Sequence, residues 1–357
     1  MEILDNRSFK VVKSKNYNSF FDKSTGFFAR WGKTKEEDPR FCEFGPEILD
    51  IEISSSNVED IHKASDRVIY TDKGCTGIFC KNFCYKKNCG DKSVHMTLDT
   101  FKKILDNIPK TLGQIALGIL GIDSHPQMWD IIDEGRKRGI AMNLTSNGVG
   151  ITNEIAKKLS EKCGAVAISV NKYNKEIAYD TVKKLSQDFG MRQINFHIVL
   201  ASETENFIRE VATDIKIDRR LSNLNALVML AFKDKQKTNF FHQFSIEKYN
   251  QLVNYLMEGG INIGFDSCSA HLFENYAQDN QQLLQCCEPC ESGLFSFYIN
   301  CFGYGYACSF YEGVGEWEQG IDLVETKDWW NNIQIKHWRT KLLSINRNCP
   351  LYQIGES

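Results

Sequence analysis

Thirteen cysteines stand in a chain of 357 residues, and most of them cluster. Cys75, Cys80, Cys84 and Cys89 fall within 15 residues, and Cys286, Cys287, Cys290, Cys301 and Cys308 fall within 23. Cys268 and Cys349 flank the second group, while Cys42 and Cys163 stand alone. Thiolate sulfur is a soft ligand suited to zinc or to iron–sulfur clusters. A chain of this length does not need disulfide staples, and in a reducing compartment such a sequence points to metal binding or redox chemistry. A lone cysteine is ordinarily a small buried hydrophobe, which is the reading for Cys42 and Cys163. That reading fits the first group poorly, because Lys81, Asn82, Lys86, Lys87 and Asn88 make its loop polar. Zinc knuckles favour CxxC pairs. The loop GCTGIFCKNFCYKKNCG (74–90) has none, its spacers being four, three and four residues long.

Thiolates must be held by something, and from residue 66 onward the hydrophobic pattern alternates between the strand and helix periods. DRVIYTD (66–72) reads as a short buried strand leading into the first cysteine group. Helix 96–109 has Thr97 as N-cap and Pro109 as its stop. Strand 113–120 and helix 126–139 follow, then strand 140–145, helix 152–162 and strand 164–170. Helix 174–190 closes on Gly190, strand 192–200 leads to helix 204–216, and strand 225–232 leads to helix 245–259. Such alternation implies parallel strands joined by right-handed crossovers. The expected fold is α/β, its sheet either doubly wound or a partial (β/α)6 TIM-like barrel, with a short N-terminal β extension and a small C-terminal cysteine-bearing domain. Residues 1–65, with the runs FKVV, GFFARW and EILDIEI, read as strands capping the core; 66–260 read as the barrel and 261–357 as the tail. Chemistry in such a barrel sits at the C-terminal strand ends, where the first cysteine group is expected.

Composition narrows the field. Hydrophobic residues make up 42% and charged residues 25%, which excludes wholesale disorder and collagen-like repeats. A net charge of -3 supplies no global field for gathering polyanions, so intact nucleic acid is not an expected partner. The apolar runs fall far short of the ~20 residues of a membrane helix. The start, MEILDNRSFKVVKSKN, lacks the apolar core of a secretory signal. A cytoplasmic protein without a membrane partner is expected.

A thiolate loop at a first strand end, with an aromatic residue before its last cysteine and Tyr after it, resembles the radical S-adenosylmethionine (radical SAM) superfamily. The usual CxxxCxxC string of that family does not occur here. Aligning Phe83-Cys84-Tyr85 with the family's aromatic-Cys-Tyr ending implies Cys75, Cys80 and Cys84 as ligands of the SAM-binding 4Fe-4S cluster, with one extra residue in each spacer. The competing set is Cys80, Cys84 and Cys89. The family's glycine-rich GGE-like segment has a degenerate counterpart in Gly118-Ile119-Leu120-Gly121-Ile122-Asp123. Its TNG-type turn is matched by Thr145-Ser146-Asn147-Gly148. The resemblance implies cofactor contacts for Gly118, Gly121, Asp123, Ser146 and Asn147, and for polar residues ending strands four and five: Ser169, Asn171, Asn195 and His197. Each of these last four taken singly is more often an ordinary strand-end residue.

The tail carries a second resemblance. Cys290, twelve residues, Gly303, four residues, Cys308 is similar to the opening of the SPASM or shorter twitch domains that hold an auxiliary 4Fe-4S cluster. The segment reads as a hairpin whose Gly303-Tyr304-Gly305 turn brings two thiolates together. Cys349 and Cys268 complete the implied ligand set, with Cys286 and Cys287 as rivals for the place given to Cys268. One auxiliary cluster is expected rather than two.

The family chemistry would be reductive cleavage of S-adenosylmethionine at the three-thiolate cluster, giving a 5′-deoxyadenosyl radical that abstracts hydrogen from a substrate. A flavodoxin- or ferredoxin-type donor would supply the electron. Related enzymes with such tails often modify peptides or proteins, so the expected substrate is a peptide or protein side chain, or else another small molecule. The alternatives are a nucleoside or modified base and, from another class, a non-catalytic zinc- or cluster-stabilised binding protein. No leader-binding module is evident in the short amino-terminal segment. Tyr85, Trp129, Trp317, Trp329, Trp330 and Trp338 are read as packing residues rather than as a substrate cleft.

Overall fold

The computed structural model describes residues 1–55, 94–119, 121–122, 125–233 and 241–350. The chain opens with β1 (Glu2–Asp5), β2 (Phe9–Lys13), β3 (Asn18–Asp22) and β4 (Phe28–Trp31), an antiparallel four-stranded sheet in sequence order. Alternation along β2 and β3 buries Val12 and Phe21. Lys10 is also buried on that face, and its Nζ donates to the carbonyls of Lys110 at 3.1 Å and Leu112 at 2.5 Å. These bonds tie the small sheet to the rest of the molecule.

Next come β5 (Ile48–Glu52), β6 (Ser54–Ser55), β7 (Val94–His95) and α1 (Leu98–Asp106). Five further strand–helix steps follow, with β8 (Gln114–Gly118), α2 (Met128–Lys137), β9 (Ala141–Ser146), α3 (Asn153–Lys162), β10 (Val166–Ser169), α4 (Lys175–Lys183), β11 (Ile194–Leu200), α5 (Glu205–Ile217), β12 (Ala226–Ala231) and α6 (Ile246–Glu258). The sequence signals place these helices well. The side chains of Thr97, Thr152 and Ser245 accept from the amides of Thr100, Ile155 and Lys248, capping α1, α3 and α6. α4 widens into a π turn at Lys184–Asp188, and Gly190 beyond it takes a φ of 69°, the left-handed geometry of a helix end. Pro126 precedes α2 instead of lying in its first turn.

The tail contributes β13 (Ile263–Phe265), α7 (Ala270–Ala277), α8 (Gln281–Leu284), β14 (Ser296–Ile299), β15 (Tyr304–Tyr306), β16 (Ile321–Asp322) and α9 (Ile333–Ser344). The main sheet has ten strands in the order β13-β12-β11-β10-β9-β8-β5-β14-β15-β16. From β13 to β14 neighbouring strands are parallel; β15 and β16 then add antiparallel. The molecule is thus mixed α/β around one large, mostly parallel sheet.

Two expectations are corrected. EILDIEI does not cap the core: β5 lies inside the sheet, parallel to β8, with Asp50 opposite Ala116 and Glu52 opposite Gly118. Its acids Asp50 and Glu52 face the cavity at the strand ends, and Leu49 and Ile51 are fully buried on the other face. The strand expected at 66–72 lies outside the described residues. In the tail, the hairpin turns at Asn300–Gly303, with Gly303 at φ 89°, while Tyr304 already belongs to β15. The tail also joins the main sheet through β14, which runs parallel to β5.

Trp317, Trp329, Trp330 and Trp338 are buried in the core, in edge-to-face contact with one another or with Phe297 and Tyr311. Truncating any of them to alanine would cost about 3–5 kcal/mol. Arg30 of β4 fastens the first sheet to the tail. Its guanidinium donates to Glu47 at 2.9 Å and to Glu291 at 2.8 Å, pairs with Glu288, and lies 3.7 Å from the Phe295 ring centre.

Candidate cofactor site

At the C-terminal ends of the parallel strands a cavity of about 360 Å³ opens. Its walls follow from strand alternation: on β11 the odd-numbered residues Asn195, His197 and Val199 face inward while Ile194, Phe196, Ile198 and Leu200 are buried under the helices. Ser169 stands opposite His197 in register, and His197 opposite Val228. Small residues, Ala116 and Gly118 on β8, leave room in the middle.

Of the residues expected to meet a cofactor, Gly118, Gly121, Ser146, Asn147, Ser169 and His197 all line this cavity. Asn195 does not. It sits near the N-terminal start of β11, two positions before His197, and there its Oδ1 accepts from Asn225 Nδ2 at 2.8 Å. Asn171 is likewise spent locally, its Oδ1 accepting from the Tyr173 amide at 2.8 Å. Asp123, Cys75, Cys80, Cys84 and the rival Cys89 lie outside the described residues. Both ends of the segment that carries those cysteines are fixed beside the cavity, since β6 and β7 pair antiparallel just beyond β5, Ser54 with His95 and Ser55 with Val94.

The turn after β9 is held by its own side chains. The Gly148 amide donates to Ser146 Oγ at 3.2 Å and the Val149 amide to Asn147 Oδ1 at 3.0 Å. Asn174 Nδ2 donates to the carbonyls of Asn147 at 3.0 Å and Ser169 at 2.7 Å, locking two strand ends together. Gly148 adopts φ 83°, and a Cβ there would come 2.8 Å from Thr181 Oγ1. Both facts require glycine at this position.

Residues that sequence reasoning missed complete the wall: Asp50, Glu52, Thr145, Leu230, Tyr298 and Ser309. The signal for the first two was their i, i+2 spacing on β5, once that strand is placed inside the sheet. Tyr298 Oη donates to Glu52 Oε2 at 2.6 Å and also meets Glu312 Oε2 at 3.3 Å. Desolvation pushes the Asp50 carboxyl up to about 6, with Glu291 adding repulsion. Burial pushes the His197 imidazole down to about 4 against the opposing pull of Asp266, so the ring is neutral at pH 7 and able both to donate and to accept. A larger cleft of about 900 Å³ lies between the first sheet and the C-terminal ends of α2 and α3. Three of its cations are already ion-paired (Lys23 to Asp5, Arg138 to Asp106 and Lys162 to Asp133), and it is lined from the opposite, N-terminal end of β9.

The tail gathers a second set of side chains. Cys268 follows β13 in a short 3-10 turn, and its neighbour Cys349, together with burial, raises its pKa. Cys290 and Cys308 both feel the charge of Cys268, and burial pushes them up to about 12 and about 11. The backbone brings these segments together: the Cys290 amide donates to the Arg347 carbonyl at 3.0 Å, and Arg347 Nε donates back to the Cys290 carbonyl at 3.2 Å. Cys287 points elsewhere, its Sγ on the Ala270 carbonyl at 3.5 Å, and Cys286 is exposed. Cys42 and Cys163 are solitary thiols, Cys42 fully buried. Among the described residues no three His, Cys, Asp or Glu side chains are arranged around a single metal ion. A four-iron cluster bonds its thiolates through separate irons, so its ligands need not converge on one point.

Comparison with known proteins places this architecture. No protein-family model matches the chain. The crystal structure of Streptococcus suis SuiB bound to its precursor peptide SuiA superposes with a TM-score of 0.69 at 12% identity, covering 95% of this chain and 91% of that one. anSMEcpe with bound AdoMet gives 0.56 at 18% identity, covering 82% and 79%. At these identities the likeness is one of fold. In sequence, 81 residues are 37% identical to the tungsten-containing aldehyde ferredoxin oxidoreductase cofactor-modifying protein of Pyrococcus furiosus, 22% of this chain and 23% of that protein. The match thus spans less than a quarter of that curated relative. Among the described residues no helix is long and apolar enough to cross a membrane.

Proposed function

We propose that this chain is a radical SAM enzyme that binds S-adenosylmethionine in the strand-end cavity and acts on a peptide or protein side chain. The observation that carries the reading is the convergence of Gly118, Gly121, Ser146, Asn147, Ser169 and His197 on one cavity, at the address where such a fold does chemistry. The fold is shared with a protein solved with AdoMet, anSMEcpe, and with SuiB, solved with its precursor peptide SuiA. The latter favours a peptide over a nucleoside.

Cys75, Cys80 and Cys84 would hold a 4Fe-4S cluster on the segment tethered at both ends beside the cavity. The bound cluster and S-adenosylmethionine together supply one-electron cleavage of the sulfonium and, from it, hydrogen abstraction. The protein binds and orients. Acidic Asp50 and Glu52 suit a cationic sulfonium, the glycines admit close backbone approach, and neutral His197 accepts or donates a hydrogen bond without adding charge. The tail thiols Cys268, Cys290, Cys308 and Cys349 fit an auxiliary 4Fe-4S cluster by donor chemistry, and Cys268 fits that set better than Cys286 or Cys287. A flavodoxin- or ferredoxin-type donor in the cytoplasm would deliver the electron.

The test is anaerobic reconstitution followed by iron and sulfide analysis, then measurement of 5′-deoxyadenosine after adding dithionite and S-adenosylmethionine. About eight irons per chain with product is the expected result. Zinc without sulfide, or iron without product, would replace this reading with that of a binding or structural protein.

A further inference from the structure

Beside the tail thiols lies a cation that the sequence patterns did not mark. Lys233 follows β12 and is only 8% exposed. Its Nζ stands 3.2 Å from Asp266 Oδ2 and lies 4.4 Å from the centre of the Phe310 ring, two residues beyond Cys308. Asp266 stands two residues before Cys268, and Cys268 and Cys349 both lie within electrostatic reach of the ammonium. The 3.2 Å contact with the Asp266 carboxylate holds the ammonium as a buried ion pair. Asp266 is fixed in turn: its Oδ1 accepts from the Ala231 amide and from Ser269 Oγ, each at 3.1 Å. Lys233 is not among the residues that line the strand-end cavity. Its charge faces sulfur.

We propose that Lys233 sets the reduction potential of the tail cluster as a charge-compensating residue beside Cys268, with Asp266 as the opposing charge. The inference rests on the auxiliary-cluster reading given above. Adding an electron to a thiolate-bound cluster increases its negative charge, and cluster potentials respond to nearby charge and to hydrogen bonds on the ligand sulfurs. The Lys233 ammonium favours the reduced form through its charge, while the Asp266 carboxylate disfavours it. Removing one or the other should therefore move the potential in opposite directions. A group that merely packs the pocket would not produce that opposition.

The experiment uses the full-length chain with Cys75, Cys80, Cys84 and Cys89 all replaced by alanine, so that the tail cluster alone is read by EPR during a mediated dithionite titration. Lys233→Met should shift the equilibrium toward the oxidised cluster about tenfold, or about 59 mV to the negative for one electron. Lys233→Arg should restore most of the shift, and Asp266→Asn should move the midpoint the positive way. An unchanged midpoint in Lys233→Met with the cluster intact overturns the proposal. If Lys233→Met does not assemble, a midpoint that stays put or falls in Asp266→Asn overturns it equally. If the parent carries no iron and sulfide, the auxiliary-cluster reading fails first, and this inference with it; the two failures are told apart by the iron count.

Discussion

In the strand-end cavity, Asp50 and His197 point into open space, and among the described residues neither side chain has a hydrogen bond or ion pair. In the tail pocket, Lys233 is held by Asp266 and an aromatic face, beside Cys268. The contrast separates two uses of a polar interior. A polar group left facing a cavity is satisfied by whatever enters, so its energetics are realised on binding. One satisfied by the protein fixes a charge in place before anything arrives. The first arrangement suits a site that turns molecules over; the second suits a site that keeps what it holds.

The comparison breaks most sharply with a crossed pair of cysteine variants. Cys84→Ala is expected to abolish 5′-deoxyadenosine formation while leaving tail-bound iron, and Cys308→Ala to remove about four irons without removing the SAM-binding cluster. Iron and sulfide analysis with product chromatography reads both. A Cys84→Ala chain that cleaves as well as the parent sinks the loop assignment, and an unchanged iron count in Cys308→Ala sinks the tail assignment.

A smaller effect tests whether the cavity is held as rigidly as its hydrogen bonds suggest. Gly148→Ala must accommodate a φ of 83° and a Cβ 2.8 Å from Thr181 Oγ1, which together should cost about 2 kcal/mol. Calorimetry should show a fall of a few degrees in Tm, and an unaltered Tm would mean that the turn relaxes freely.

The smallest effect concerns Asp50. Its folded-state pKa of about 6 lies above the ordinary carboxylate value of 3.8, so the native state holds this proton more tightly than the unfolded chain does. Its contribution therefore favours folding at low pH, declines as pH rises from about 4 to about 6, and is constant above that. Asp50→Asn should flatten that part of the stability profile and raise stability at pH 7 by about 1 kcal/mol, the value being small because the side chain faces solvent. Urea unfolding at pH 4.5 and pH 7 compares the two chains, and parallel profiles would show that Asp50 is screened like a surface carboxylate.

Much of the parallel sheet and its helices was legible because their signals are local. Thr97, Thr152 and Ser245 cap their helices through side chains that bond amides three residues on, and the strands from β8 to β12 announce themselves as apolar runs. What escaped was set by distant pairing. EILDIEI read as a capping strand, and only the pairing of β5 with β8 and β14 places it inside the main sheet. Likewise, Asn195 and His197 share a face of β11, and their sequence positions alone do not say which lies at the open end. Lys233 carries no motif: its meaning comes from Asp266 and Cys268, on the segment after the next strand.

The pairing of β14 with β5, Ser296 beside Ile48 and Ile299 beside Ile51, also has a consequence in time. A ribosome adding about 5–20 residues per second delivers β14 some tens of seconds after β5. Throughout that interval one edge of β5 stands bare, a row of unmatched amides and carbonyls open to a wrong strand. The same late arrival carries in Cys290 and Cys308, which flank β14 on either side. The closing of that edge of β5 and the gathering of Cys290 and Cys308 therefore wait on the same late segment. Until it arrives, bare strand edge and scattered thiols coexist in one unfinished chain.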